Sequence, residues 1–355
     1  MNRRAALAAG GGAALSGLAG CLDALGFGTR SARAPPLPDY RPPAVYLPTH
    51  VEGMRMVGRA STGGYECALT YTFPHRFWLV TGSRSEKVGI QPEDSIHLMP
   101  VVWDAETGVV PPDINPQLSV TRDGDTVAQL APWPMLSQPM GFHFGDNVAL
   151  DGDRTYRVEV SIGSPSTRRT GSLTDNRGQE AFSFDFAFRQ SALQDITYRD
   201  VPSEKEGTRG AVDPMGMEGM PSTQVPTPDA LPGTVRGTAT SGDARFVVTT
   251  LPDATPFGGG SDETYLAVSP RTPYSRYILP LMSLSATLRR GDEILYGGPL
   301  RTTIDPDLRY HYGAAVPGVE SGDDLAITVD APPQTARHEG YETAFLDMAG
   351  MDLTL

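Results

Sequence analysis

Leu118-Ser119-Val120-Thr121 runs into Arg122-Asp123-Gly124-Asp125, and far downstream Leu284-Ser285-Ala286-Thr287 runs into Arg290-Gly291-Asp292. Each is a short strand pattern ending in a Gly/Asp hairpin turn. The two stretches open parallel series. His143-Phe144-Gly145 lies 25 residues beyond Leu118, and His311-Tyr312-Gly313 lies 27 beyond Leu284. Tyr156-Arg157-Val158-Glu159-Val160 then matches Leu325-Ala326-Ile327-Thr328-Val329. Nine residues past these strand ends stand Arg169 in one series and His338 in the other. An ordered set of matches predicts two related β-sandwiches, the second a diverged copy of the first.

The rest of the chain agrees with an all-β reading. No segment of the mature chain holds ten residues of helical apolar periodicity. Strand patterns cover residues 65–73, 76–81, 95–103, 156–162 and the alternating Phe182, Phe184, Phe186 and Phe188 in the first half. In the second half they cover 245–250, 265–268, 277–287, 325–329 and 341–346. Gly, Pro and Asp separate them at sandwich-like spacing. The expected layout is a signal over residues 1–20, a Pro-rich tether over 21–44 and a first immunoglobulin-like sandwich over 45–199. A Met/Pro/Gly-rich linker over 200–233 and a second sandwich over 234–355 follow.

Met1-Asn2-Arg3-Arg4 precedes an Ala/Gly-rich apolar run that ends in Leu18-Ala19-Gly20-Cys21. Paired arginines before such a run read as a twin-arginine export signal, too short to span a bilayer. Leu-Ala-Gly-Cys is a lipobox, so Cys21 is expected to carry a lipid anchor on the outer face of the cell membrane. Cys67, the remaining cysteine, reads as an inert core thiol. The formal charge is −13, from 29 basic and 42 acidic residues, and only Lys87 and Lys205 are lysines. That balance excludes a nucleic-acid partner and fits a salt-facing, haloarchaeal-type lipoprotein.

Candidate chemistry gathers in the first sandwich. Ser95-Ile96-His97-Leu98-Met99 puts His97 and Met99 on one face of a strand, because side chains alternate. Met135-Leu136-Ser137-Gln138-Pro139-Met140-Gly141-Phe142-His143 offers two thioethers and an imidazole in a Pro/Gly-shaped segment. Imidazole with thioether selects copper, as Cu2+ or Cu+, and accepts Fe2+. There is no Gly-x-Ser-x-Gly, no His-Glu-x-x-His and no phosphate loop, so a binding protein is expected rather than an enzyme. No cysteine lies near the His/Met set, which disfavours a blue-copper electron carrier.

Residues 45–188 resemble the periplasmic iron-transport proteins, the immunoglobulin-like "Fe2+ transport protein" group that works beside high-affinity iron permeases. The resemblance is carried by Val45-Tyr46-Leu47, by Asp94-Ser95-Ile96-His97-Leu98, by Met135 through His143-Phe144-Gly145-Asp146-Asn147-Val148, and by the Leu150-Asp151-Gly152 turn. It implies that His97, Met135 and His143 bind copper or iron for delivery to a permease, and it leaves open a homodimer. Two family ligands are replaced: a glutamate by Met99, and a histidine after the penultimate strand by Arg169. The resemblance therefore implies a softer site, completed by Met99, Met140, His75 or His50. In the second copy Tyr277 is read as the counterpart of His97, leaving His311 and His338 as an accessory pair at best. Met215, Met217 and Met220 in the linker form a thioether cluster of the kind that captures Cu+. The competing reading is a cell-surface module that binds protein or glycan without metal.

Overall fold

Phe182, Phe184 and Phe186 are buried along Glu180–Ala187 while Ser183 and Asp185 face solvent. Thr155–Ile162 buries Tyr156, Val158, Val160 and Ile162 in the same alternation. Such strands cover a core with one face only. In the computed structural model, which describes residues 35–175 and 178–355, these two strands pair with each other and continue into Gln117–Arg122 and Asp125–Leu130 as a four-stranded antiparallel sheet. Its apolar face packs on the second sheet of the first sandwich: the Phe186 ring lies 4.9 Å from that of Tyr71, and Phe184 rests against Gly58. Phe182, Phe184 and Phe186 each contribute roughly 2–3 kcal/mol by leaving water. The signal, Cys21 and most of the tether lie outside the described residues.

The second sheet runs in the order Arg55–Thr62, Tyr65–Thr72, Asp94–Asp104, Gly141–Ala149, Trp133–Ser137, Ala336–Arg337, Phe77–Thr81 and Arg84–Val88. Seven of these strands come from the first copy. Ala336–Arg337 comes from the second. It pairs in parallel with Met135-Leu136 and antiparallel with Trp78, filling the gap between two strands of the other copy. The loan is reciprocal: Arg168–Arg169 of the first copy pairs in parallel with Thr303-Ile304 of the second. Leu37–Leu355 accordingly form one compact unit.

The second copy repeats the first with one simplification. Glu293–Asp305 is a single long strand that pairs with Ser283–Arg290 at its start and Arg309–Val316 at its end. In the first copy the same course breaks into Asp125–Leu130 and Trp133–Ser137. Ala131-Pro132 lies at the break, where proline lacks the N–H that a continuous ladder needs. Both copies are all-β and immunoglobulin-like, with only the short helix Gln190–Leu193 and three single 3-10 turns among the described residues.

Two expected strands are corrected. Residues 277–282 precede the strand, which starts at Ser283, and the Tyr277 hydroxyl donates instead to the Pro139 carbonyl at 3.1 Å. Residues 341–346 form turns, with Phe345 in the left-handed region at φ 58°. Their apolar side chains are buried by packing Tyr341 on Phe345, ring centroids 5.6 Å apart, and a buried aromatic run mimics a strand. Cys67 sits in the main core, and burial pushes its thiol pKa up, as an inert core cysteine requires.

One buried amide ties the copies and the connecting segment together. The Gln138 side chain, in a residue 1% exposed, donates to the Tyr46 carbonyl at 2.7 Å and the Gly340 carbonyl at 3.2 Å. Its oxygen accepts the Val212 N–H at 2.8 Å. Truncation would take this partner from the Tyr46 carbonyl and the Val212 N–H, leaving the Gly340 carbonyl with only the Tyr46 N–H at 3.2 Å. Gln138→Ala is expected to lower the free energy of unfolding by about 3 kcal/mol in urea titrations, whereas a loss below about 0.5 kcal/mol would show that this tie is dispensable.

Candidate metal centre

The neighbours of the Asn147 side chain determine which way its amide faces. Its oxygen accepts the His75 backbone N–H at 3.1 Å, and its nitrogen donates to the His75 carbonyl at 2.8 Å. That leaves the same oxygen as the acceptor 2.9 Å from His97 Nδ1, so Nδ1 carries the proton. His143 Nδ1 faces the Gly141 carbonyl at 3.1 Å and must also be the protonated nitrogen. In both rings the bare lone pair is therefore on Nε2. Both Nε2 atoms are buried and accept nothing, and His338 Nε2 is buried and unpartnered in the same way.

These three side chains converge. One nitrogen of each of His97, His143 and His338 lies within 4.8 Å of the others. The ring of His338 stands 5.5 Å from that of His97 and 5.3 Å from that of His143. His338 is held by its backbone N–H, which donates to the Leu136 carbonyl at 3.0 Å as a continuation of the borrowed strand. Met135 is the register partner of both His143 and Ala336, fully buried among Phe77 and Ala336. Cross-strand partners share a sheet face, so its thioether stands beside the imidazoles.

The site is buried, and burial governs its titration. Burial lowers the pKa of His97 to about 3 and that of His143 to about 4, and it holds His338 well below the ordinary imidazole value. Three neutral imidazoles with converging, unsolvated lone pairs are costly alone, at about 1–3 kcal/mol per orphaned group. A cation supplies what all three lack, and second-sphere acceptors on Nδ1 are the usual way to aim Nε2 at a metal. The residues present fit a copper or iron ion.

Of the residues singled out in the sequence, His97 and His143 come together, with Met135 beside them. Met99 lies along the His97 strand against Gly145. Met140 packs on the main core. His75 borders the site, 4.9 Å from His97 ring to ring.

The expectation that His338 belongs to the second copy's own site is corrected: it completes the first. Register shows why. Met135 and Thr303 occupy equivalent positions opposite His143 and His311, which places Arg169 level with Arg337 and Thr170 level with His338. The first copy thus has one residue more before the strand it lends, a single-residue offset that hid Thr170.

The second site is a different constellation. Tyr265, not Tyr277, is the counterpart of His97: His97 pairs with Asn147 and Tyr265 with Ala315, and a Cβ at Gly313 would strike the Tyr265 hydroxyl as one at Gly145 would strike His97. His311 Nδ1 faces the Arg309 carbonyl at 3.0 Å, and its Nε2 lies 3.1 Å from the Tyr265 hydroxyl. With Thr303 and Thr170 in place of methionine and histidine, this centre is closed by its own hydrogen bonds.

Comparison with known proteins agrees with this division. Residues 93–192 match the family described as "Fe2+ transport protein", a range that contains His97, Met135 and His143. Residues 229–354 match a "Domain of unknown function (DUF7350)", which holds His338. Two solved structures of FetP from uropathogenic Escherichia coli strain F11 are similar. The "as isolated" protein, expressed in the periplasm, shares 16% identity, covering 39% of this chain and 96% of its own with a TM-score of 0.29. A copper-bound variant shares 18%, covering 38% and 97% with a TM-score of 0.30. No curated protein matches the chain.

Two outcomes follow. A Cβ at Gly145 would lie 2.5 Å from His97 Nε2 and 3.2 Å from Met99 Cγ, inside the ring's own space. Gly145→Ala is expected to weaken Cu2+ binding by about 10–100-fold in calorimetric titration, and unchanged affinity would show that His97 is not a ligand. The second concerns acid. The unfolded chain protonates its histidines near pH 6.5 while the native trio stays neutral, so folding stability falls as pH drops from about 6.5 to 4. Urea midpoints of the metal-free protein should show that slope. His97→Gln with His143→Gln should flatten it, and an identical slope in the double variant would contradict the assignment.

Proposed function

We propose that this protein captures copper or iron ions outside the cytoplasm and hands them to a membrane permease, acting as a binding protein rather than an enzyme. The observation that carries the reading is the set of three buried Nε2 atoms, each without a partner, in histidines that bring one nitrogen apiece to within 4.8 Å of the others. Neutral imidazoles and a thioether hold a soft or borderline cation without burying fixed negative charge, and since the imidazoles are already unprotonated, loading and release need no proton exchange at the ligands. The "Fe2+ transport protein" match over residues 93–192 supports iron as cargo. The His/Met donor set supports copper equally.

Export and anchoring complete the proposal. The Arg3-Arg4 pair and the Leu18-Ala19-Gly20-Cys21 lipobox support a mature chain held on the outer face of the cell membrane through lipid at Cys21. No helix among the described residues is long and apolar enough to cross a membrane. With the second copy lending His338 within one chain, no second chain is needed to finish the centre.

Titration with Cu2+, Cu+ and Fe2+ tests this reading. The wild type should bind tightly, and His338→Ala should lose about 100-fold in affinity, as should His97→Ala or His143→Ala. Met135→Leu should cost more for Cu+ than for Fe2+, because only the soft ion gains from a thioether. Affinity that ignores all three histidine substitutions would favour the metal-free interaction module instead.

A further inference from the structure

A sealed centre needs a way in. His97 and His143 are 0% and 1% exposed, so an arriving ion must first meet something at the surface. His75 borders the trio and reaches solvent. Its ring lies 4.9 Å from that of His97 and 5.2 Å from that of His338, and its side chain keeps 17% of its surface in solvent.

Behind His75 stands a carboxylate. Glu52 Oε2 is 3.3 Å from His75 Nδ1, and Glu52 Oε1 is 3.3 Å from His50 Nε2. The Glu52 side chain is only 5% exposed, and neither oxygen accepts a well-aligned hydrogen bond from these rings. His50 is held by stacking on Tyr198, ring centroids 5.1 Å apart, and by a 2.9 Å contact between its Nδ1 and the Thr49 hydroxyl. Thr49 is fixed in turn by Glu339 Oε1, which accepts its N–H at 2.7 Å, while the other Glu339 oxygen pairs with Arg76. Glu339 follows His338 directly, so one side of this mouth is built from the same borrowed segment as the inner site.

A buried carboxylate between two imidazoles lacks compensation unless a proton or a cation supplies it. Two histidines and one carboxylate form a donor set that Fe(II) takes readily, harder than the imidazole-thioether set inside. We propose that His50, Glu52 and His75 form an outer station that takes a divalent ion of the Fe(II) class at the surface, with His75 as the step to the inner trio. Glu52 and His75 are its fixed pair, and His50 closes on the ion from the other carboxylate oxygen. The station rests on its own residues. Only the onward transfer rests on metal binding at the trio, as proposed above.

Co(II), an air-stable spectroscopic stand-in for Fe(II), separates the two parts. The wild type should bind two equivalents per chain, seen as two absorption components. Glu52→Gln should bind one, with the inner component unaltered, and His50→Ala should do the same if the glutamine variant fails to fold. His143→Ala should lose the inner component and keep the outer. In stopped-flow mixing, Glu52→Gln should fill the inner site at least ten-fold more slowly with its equilibrium affinity unchanged. A single equivalent in the wild type that His143→Ala removes would overturn the station while leaving the inner site standing. Two equivalents with unchanged filling rate in Glu52→Gln and His50→Ala would overturn it as well. If His143→Ala removes nothing, it is the inner-site reading that fails.

Discussion

The parallel pairing of Ala336-Arg337 with Met135-Leu136 is the constraint on which the site depends. Two residues of strand deliver His338 to the open point of a centre that the first copy can only begin. Sheet hydrogen bonds are individually modest, but register makes them exacting. A one-residue slip would turn Arg337 toward the imidazoles and His338 away from them. Arg337 shows how firmly the segment is seated. It is fully buried with no carboxylate partner, donates to the Thr335 and Pro333 carbonyls, and burial lowers its pKa to about 9.

The reciprocal loan explains how one fold holds two such different centres. Each copy receives its last donor from the other, through equivalent bridges at 336–337 and 168–169. Copy one has histidine, methionine, histidine and histidine, and the Nε2 atoms of its three histidines are left without partners. Copy two has tyrosine, threonine, histidine and threonine. There the Tyr265 hydroxyl, its pKa pushed up to about 12 by burial, stays protonated and meets His311 and Thr303 within hydrogen-bonding distance. The same backbone thus carries one centre that needs an ion and one that needs nothing.

Much of this was legible in the sequence because strand alternation is a local signal. Phe182 through Phe188 announced a one-sided strand, and the two His-aromatic-Gly triplets announced the duplication. His97, Met135 and His143 could be singled out because they share a stretch of about 50 residues with a recognisable pattern. His338 could not be placed, since nothing local says that a strand of the second copy enters a sheet of the first. The parallel between Arg169 and His338 was the one available signal, and a single extra residue before the first bridge shifted it off Thr170. Tyr277 reads as the counterpart of His97 because the apolar run at 277–287 looks like a strand, whereas its first part makes only isolated bridges and the strand starts at Ser283. The triad of His50, Glu52 and His75 was invisible as a unit, because long-range packing brings Glu52 to His75.

Acidity takes on a local meaning beside this geometry. The overall charge of −13 draws cations toward the surface, yet the inner centre holds no carboxylate among its three nitrogen donors. Attraction is spread over the exterior, while at the inner centre selection rests on imidazole and thioether. A crystal structure of the protein loaded with Cu2+ tests the central claim most directly. The account predicts one ion about 2.0 Å from Nε2 of His97, His143 and His338 together, with Met135 alongside. An ion bound without His338, or held through Nδ1, would contradict it.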